Sequence, residues 1–413
     1  MGTIKNLTNS YNHNTNDYSD PLVDNNVLND FFKKYSPLKK QQNDVISLYK
    51  NKSYETSLDT LIKPARNDEG LFDQYYKLED VLKKYKKLEK EGVWKPITVV
   101  NPYKDIRPDE KSITVAQIRN RLFVMGDLKN DSKSDVYDQE LMDGVMKYKL
   151  RNGLKPNYII NEDHIKDLNT PIADKIKTLM INMERCRWIS PQLVKDKEYI
   201  MVNVPSFELV YVKNGKIELV SKVFVGSPLT KTTIFNSSIE KIVFSPYWTV
   251  PQSIVDNELK SKIAADKNYL AEHNMEIVNG QVRQKPGPEN SLGLVKFIFP
   301  NPDDIYMHDT PAKTLFDFEK RTFSHGCVNV NKAKELAIAL LKDYPEWTED
   351  RINKAMDGTE ETTFKLPNKV PIYICYFTSW VNESGEVSFF QDVYDIDGDL
   401  NKALFPENAV ANK

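Results

Sequence analysis

Cysteine and histidine are scarce in this chain, with three of one and five of the other among 413 residues. Cys186, Cys327 and Cys375 are too few and too scattered for a disulfide framework, and their odd number leaves at least one thiol free. Long apolar runs are also missing: no stretch reaches the roughly 18–20 apolar residues of a membrane-spanning helix. Nor does positive charge dominate. The 57 lysines and arginines against 59 aspartates and glutamates give a net charge of −2, which excludes the basic stripe that nucleic acid demands. The opening MGTIKNLTNSYNHNTNDYSD has neither the apolar h-region nor the cleavage signature of an export signal. Its Asn-rich polarity reads as a disordered tail over 1–26.

What is present suits a folded protein of two or three domains. Hydrophobic residues at 40% and aromatics at 11% are enough for real cores at this length. Residues 27–111 read as a helical scaffold ending in a Pro-rich connection. Within it, LEDVLKKYKKLEKEG puts Leu78, Leu82, Tyr85 and Leu88 on one stripe, with Gly92 as a stop and the lysines as a solvated face. Residues 112–170 form a second helical unit with Gly126 and Gly153 at C-cap positions, and 171–195 a connecting helix. Beyond Trp188 the period changes to two. EYIMVNVPSFELVYVKNGKIELVSKVFVG reads as short strands with Asn214-Gly215 as a hairpin turn, and the β signal continues in several segments to about residue 400. A polar insertion at about 252–290, helical in its first part, interrupts these strands as a lid or binding loop. The fold class expected is α+β and multidomain: helices first, then a β-rich, sandwich-like domain with a partly helical lid.

Two of the five histidines and one cysteine fall together in MHDTPAKTLFDFEKRTFSHGCVNV, residues 307–330. A thiol attacks a carbonyl only as thiolate, so a nucleophilic cysteine needs a base in reach and donors for the oxyanion. Gly326 just before Cys327 leaves backbone N–H groups unshielded, His308 ends the strand DIYMH, and His325 lies two residues from Cys327. Other readings compete. A lone cysteine is commonly a small core hydrophobe. Structural zinc sites favour C-x₂₋₄-C or H-x₃₋₅-H pairs, which His308, His325 and Cys327 do not make. On the residues alone, an activated thiol, a metal site and a packing accident all stay open.

His308, fifteen intervening residues and then Ser324-His325-Gly326-Cys327-Val328-Asn329 resemble the signature of the L,D-transpeptidase (YkuD-like) family. INMERCRWI, VFVGSP, FSPYWTVPQSI, RQKPGPENSLGLVKFIFPNP and IYMHDTPAKTLF are similar to segments of its large periplasmic YcbB-type members. Residues 112–170 resemble their peptidoglycan-binding module. The resemblance covers roughly 112–380. It implies an L,D-transpeptidase catalytic domain over 196–400 without cofactor or metal. Cys327 would attack the third residue of a peptidoglycan tetrapeptide stem, releasing D-alanine, and a second stem would then close a 3→3 crosslink. Water or a protein lysine are the alternative acceptors, and a non-catalytic wall-binding protein the alternative function. His308 matches the general base. Asp309 would orient it or cap the turn before Thr310-Pro311. His325 would have an orienting or structural part, and Ser324 would hydrogen-bond within the turn. The N–H groups of Gly326 and Cys327 would form the oxyanion hole.

Asn329 stands where YcbB-type relatives carry arginine and cannot grip a carboxylate bidentately; Arg321 would compensate. Tyr247, Trp248 and Tyr306 would line the substrate groove, Tyr247 and Trp248 alternatively belonging to the core, and 252–290 would cap it. Within the module at 112–170, MKYKLRNGLKPNY lacks the Phe-Gln and Asp-Gly pairs usual there, and Thr232-Thr233-Ile234-Phe235 lacks the usual proline, so that turn would differ. The implied partners are the donor and acceptor stem peptides and carbapenems as covalent inhibitors, with no nucleic acid and no integral membrane segment. The implied location is the periplasm or cell envelope, with the export signal removed.

Overall fold

The structure, a computed structural model, describes residues 71–101, 104–189, 193 and 196–404. The expected tail and the first part of the helical scaffold, up to residue 70, lie outside the described residues. The chain divides into two compact units, Met1–Lys195 with Tyr376–Lys413, and Asp196–Cys375.

In the first unit, helix α1 (Gln74–Glu91) buries Leu78, Val81 and Tyr85 and stops where Gly92 turns left-handed at φ 63°. The small cluster α2 (Ile113–Met125), α3 (Gln139–Arg151) and α4 (Glu162–Leu168) starts each helix with a side-chain cap: Ser112, Asp138 and Asn161 accept the N–H of Val115, Leu141 and His164. Val115, Ile118, Leu122, Leu141, Val145, Tyr148 and Ile165 form its core. Helix α5 (Ile172–Trp188) follows.

Residues 376–404, expected in the β-rich domain, fold instead with these helices. They supply the hairpin β13 (Ser379–Val381) and β14 (Val387–Phe389) and helix α8 (Ile396–Leu404). Buried polar pairs hold them there. Gln74 exchanges two hydrogen bonds with the Val381 backbone, Asn182 bonds Thr378, and Arg185 meets Asp397 at 2.6 Å. Such groups are costly to bury unpaired, which fixes the segment's place.

In the second unit, strands β1 (Glu198–Asn203), β2 (Glu208–Lys213) and β3 (Lys216–Gly226) form a meander. Asn214 and Gly215 both take positive φ in the turn, 51° and 72°. With β4 (Phe235–Phe244), β8 (Val295–Ile298), β9 (Met307–His308), β10 (Thr322–Ser324), β11 (Val328–Val330) and β12 (Thr362–Cys375) they make a nine-stranded sheet, ordered β10-β3-β11-β9-β8-β4-β12-β1-β2. A further β2–β3 pairing closes this sheet on itself, so one rolled sheet stands where a sandwich was expected. Helix α6 (Ala333–Leu341) seals the roll against β3 and β8 with Leu336, Leu340 and Leu341, and α7 (Glu349–Met356) follows it.

The insertion at about 252–290 has a small core of its own, Val250, Leu259 and Val282. Its first half is a run of short helical turns, including a π-helical turn at Val255–Leu259. Its second half is a hairpin: β6 (Met275–Val278) and β7 (Gln281–Gln284) pair about Asn279-Gly280, with β5 (Trp248–Thr249) pairing β7.

Candidate active site

Cys327 lies in the short turn between β10 and β11, both of which pair with the last residues of β3, one parallel and one antiparallel. On its other side β11 runs parallel to β9, with Val328 opposite Met307 and Asn329 opposite His308. Strand alternation then sorts the side chains. Met307, Val328 and Val330 are fully buried. Tyr306, His308, Cys327 and Asn329 share the opposite face. The register continues this row to Lys296, which is level with His308 on β8. Sequence reasoning missed Lys296. Its signal was the alternation in VKFI, where Val295 and Phe297 go to the core and the lysine must take the other side.

The Ser324–Cys327 turn is tied from within. The Ser324 hydroxyl donates to the Cys327 carbonyl at 2.6 Å and accepts the Gly326 N–H at 3.1 Å. Gly326 sits at φ +116°, which L side chains rarely adopt, so the motif needs glycine here. These bonds correct one expectation. The Gly326 N–H is already spent on Ser324, so it is no free oxyanion donor. The Cys327 N–H, by contrast, meets no acceptor among the described residues.

His308 is buried, and its Nδ1–H donates to the Asp309 carbonyl at 2.5 Å, which leaves the Nε2 lone pair as the basic position. Burial pushes its pKa down to about 4; the Asp309 and Leu292 carbonyls oppose this and the Lys296 charge adds to it. Asp309 is itself locked. One carboxylate oxygen accepts the Leu294 N–H at 3.0 Å and the other the Lys313 ammonium at 2.6 Å. Its carbonyl therefore holds the ring from a fixed point.

Burial likewise pushes the Cys327 thiol up to about 11, against the opposing effect of Tyr306. Thiol and imidazole are both neutral in this state. These shifts favour the neutral pair over a thiolate–imidazolium pair. Tyr306 faces the thiol, its ring 5.6 Å from that of His308. Burial first, and then Cys327, raise the Tyr306 phenol above its usual value, while the Trp248 indole lowers it. Trp248 packs on the core of the insertion, which brings that insertion to the edge of the site.

The remaining candidates fall elsewhere. His325 points outward, with its Nε2 2.8 Å from Glu258 on the π-helical turn of the insertion. Tyr247 is half-buried. It bonds Glu360 and Glu361, and the Arg283 guanidinium lies 4.0 Å over its ring. Arg321 cannot compensate for Asn329. It is buried, and its guanidinium donates to the carbonyls of Val223, Phe318 and Phe207. Asn329 is buried beside His308. Cys186 and Cys375 are buried and not disulfide-bonded, Cys375 pushed up to about 12 by burial alone. Among the described residues no group of three or more His, Cys, Asp or Glu is gathered to hold a metal ion, and no helix is long and apolar enough to cross a membrane.

A β-rich domain with a histidine and a cysteine on adjoining strands is the class of catalytic domain to which the comparisons lead. Residues 197–360 match the family model of YkuD, the L,D-transpeptidase catalytic domain, and the chain carries that domain. A Haemophilus influenzae protein named provisionally as an L,D-transpeptidase is 34% identical over 225 residues, which cover 49% of this chain and 45% of that one. The chain thus spans about half the length of the curated relative it matches. Among solved structures, an L,D-transpeptidase from Stackebrandtia nassauensis is 13% identical, with 67% of this chain and 97% of that one covered and a TM-score of 0.27. Another, LdtMt1 in complex with imipenem, is 12% identical, with 43% and 59% covered and a TM-score of 0.24.

Proposed function

We propose that this protein is a cell-envelope L,D-transpeptidase that crosslinks peptidoglycan stems through a thioester on Cys327. One observation carries the reading: Cys327 and His308 face the same side of adjoining strands, beside a backbone N–H with no acceptor among the described residues. In the first half-reaction His308 Nε2 takes the thiol proton as Sγ bonds to the carbonyl carbon of the third stem residue. The Cys327 N–H holds the oxyanion. The tetrahedral adduct then expels the amine of the terminal D-alanine, which takes the proton from His308 as the C–N bond breaks. In the second half-reaction the side-chain amine of another stem attacks the thioester. A C–N bond forms, the C–S bond breaks, and the proton shed by the amine returns to sulfur through His308.

Neutral starting groups suit this sequence, because no charge need be desolvated before substrate arrives. The insertion would cap the site and keep water from the thioester until the amine docks. Asp309 orients the base, Tyr306 and Trp248 line the donor groove, and Ser324 shapes the turn. The substrate lies outside the cytoplasm, which puts the protein in the periplasm or cell envelope. Imipenem, present in the complex of a related enzyme, is the convenient probe. Exposure should add one opened β-lactam to the intact mass, and Cys327→Ala should abolish the adduct. An adduct that persists in Cys327→Ala refutes the reading. Incubation with purified sacculi separates the acceptors: 3→3 dimers for a stem amine, tripeptides for water.

A further inference from the structure

We infer that Thr232 is a positioning residue for the oxyanion hole: its hydroxyl fixes the Gly326–Cys327 peptide so that the Cys327 N–H faces the reacting carbonyl. This inference rests on the thioester reading above and adds a residue to it.

Thr232 is buried. Its Oγ1 accepts the Gly226 N–H at 2.9 Å and donates to the Gly326 carbonyl at 2.7 Å. That carbonyl belongs to the same peptide unit as the Cys327 N–H. The unit is planar and trans, so C=O and N–H point in opposite directions, and an anchor on the oxygen aims the hydrogen. The anchor has work to do here. Ser324 ties the Gly326 N–H and the Cys327 carbonyl, which lie on either side of this peptide and outside it. A peptide next to a glycine at φ +116° can rotate at small steric cost. Among the described residues no other donor holds its carbonyl end.

The anchor itself is well founded. Thr230, in the same loop, bonds Ser324, since its hydroxyl donates to the Ser324 carbonyl at 3.0 Å. Gly226 lets the loop approach, because a Cβ there would sit 2.0 Å from the Thr230 carbonyl oxygen.

The test compares two reactions of one thiol. Acylation by imipenem passes through a tetrahedral oxyanion, whereas alkylation by iodoacetamide displaces iodide and forms none. Both are followed by intact mass at pH 9, with the modified residue located by peptide mapping. Thr232→Val keeps the shape and removes the donor. It should slow acylation about 10- to 100-fold, less than the loss of a whole oxyanion donor, and leave Cys327 alkylation within about two-fold. Thr232→Ser should restore acylation. Should Thr232→Val fail to fold, Thr232→Cys, a weaker donor of similar size, carries the same comparison. Equal acylation in variant and parent overturns the role. So does a parallel fall in both reactions, or a Thr232→Ser variant as slow as Thr232→Val. If the parent chain is alkylated and never acylated, the transpeptidase reading itself fails, and this role with it.

Discussion

The pH dependence of Cys327 reactivity follows from the burial of its thiol. With a pKa of about 11 in place of the ordinary 9.0, about one thiol in 10⁴ is ionised at pH 7, against about one in 10² for an unperturbed group. His308, held down to about 4, is neutral across the same range and cannot stabilise a thiolate as imidazolium. Iodoacetamide reacts only with thiolate. Its rate on Cys327 should therefore rise about tenfold per pH unit from 7 to 10 with no plateau, and at pH 7 lie about 100-fold below that of a simple thiol. On the proposed mechanism, in which His308 removes the proton in the transition state, acylation should behave otherwise. It should stay flat from about pH 5 to 9 and fall below pH 4 as the imidazole is protonated. Replacing His308 with Gln should change alkylation by less than about threefold and cut acylation by about 10²–10⁴, the worth of a general base. Stopped-flow loss of β-lactam absorbance and timed alkylation quenched for mass spectrometry provide the two profiles. An alkylation plateau with an inflection at or below pH 6 would refute the reasoning, since it would reveal a resting thiolate–imidazolium pair.

Burial of neutral His308 also ties stability to pH. Its folded pKa of about 4 lies below the ordinary 6.5, so the unfolded chain binds the extra proton between those values. The stabilising contribution is complete above pH 6.5 and lost as pH falls toward 4, up to about 3 kcal/mol; urea titrations should show that slope in the parent and a flatter one in His308→Gln. Arg321→Met removes donors from three backbone carbonyls and should cost about 3 kcal/mol, or roughly 6–12 °C in Tm, with KM unchanged below the transition; a raised KM at unchanged Tm would restore its substrate role. Glu258→Gln weakens the half-exposed His325–Glu258 contact, worth less than about 1 kcal/mol, so hydrogen exchange in residues 255–265 should quicken up to about fivefold. Unchanged exchange there would show that His325 does not hold the insertion.

The candidate site was legible where chemistry demands fixed residue types at fixed spacing. The His308 to Cys327 interval and Gly326 stood out because one turn at positive φ and one strand pairing impose them. The helices of the first unit were legible through their caps: Gly92 and Gly126 close helices in the left-handed conformation. Long-range pairing was not. Nothing local in Arg321 says that its guanidinium will be consumed by the carbonyls of Val223, Phe318 and Phe207. The hairpin at Asn279-Gly280 carried the same signal as the one at Asn214-Gly215, but the helical run before it masked the change of period. The boundary at Cys375 was hidden for a related reason. The β pattern runs on through TSWV, and only the polar partners Gln74, Asn182 and Arg185, some 200 to 300 residues earlier, decide which unit that segment joins.

That late return has a consequence for how the molecule is made. The helices near the N-terminus leave the ribosome first, yet the residues that satisfy Gln74, Asn182 and Arg185 emerge only after the whole rolled sheet has been synthesised. The catalytic domain is a continuous stretch and can close as soon as β12 is out. The half begun first is therefore finished last, and its polar groups must wait in water for their partners through the translation of nearly 200 residues.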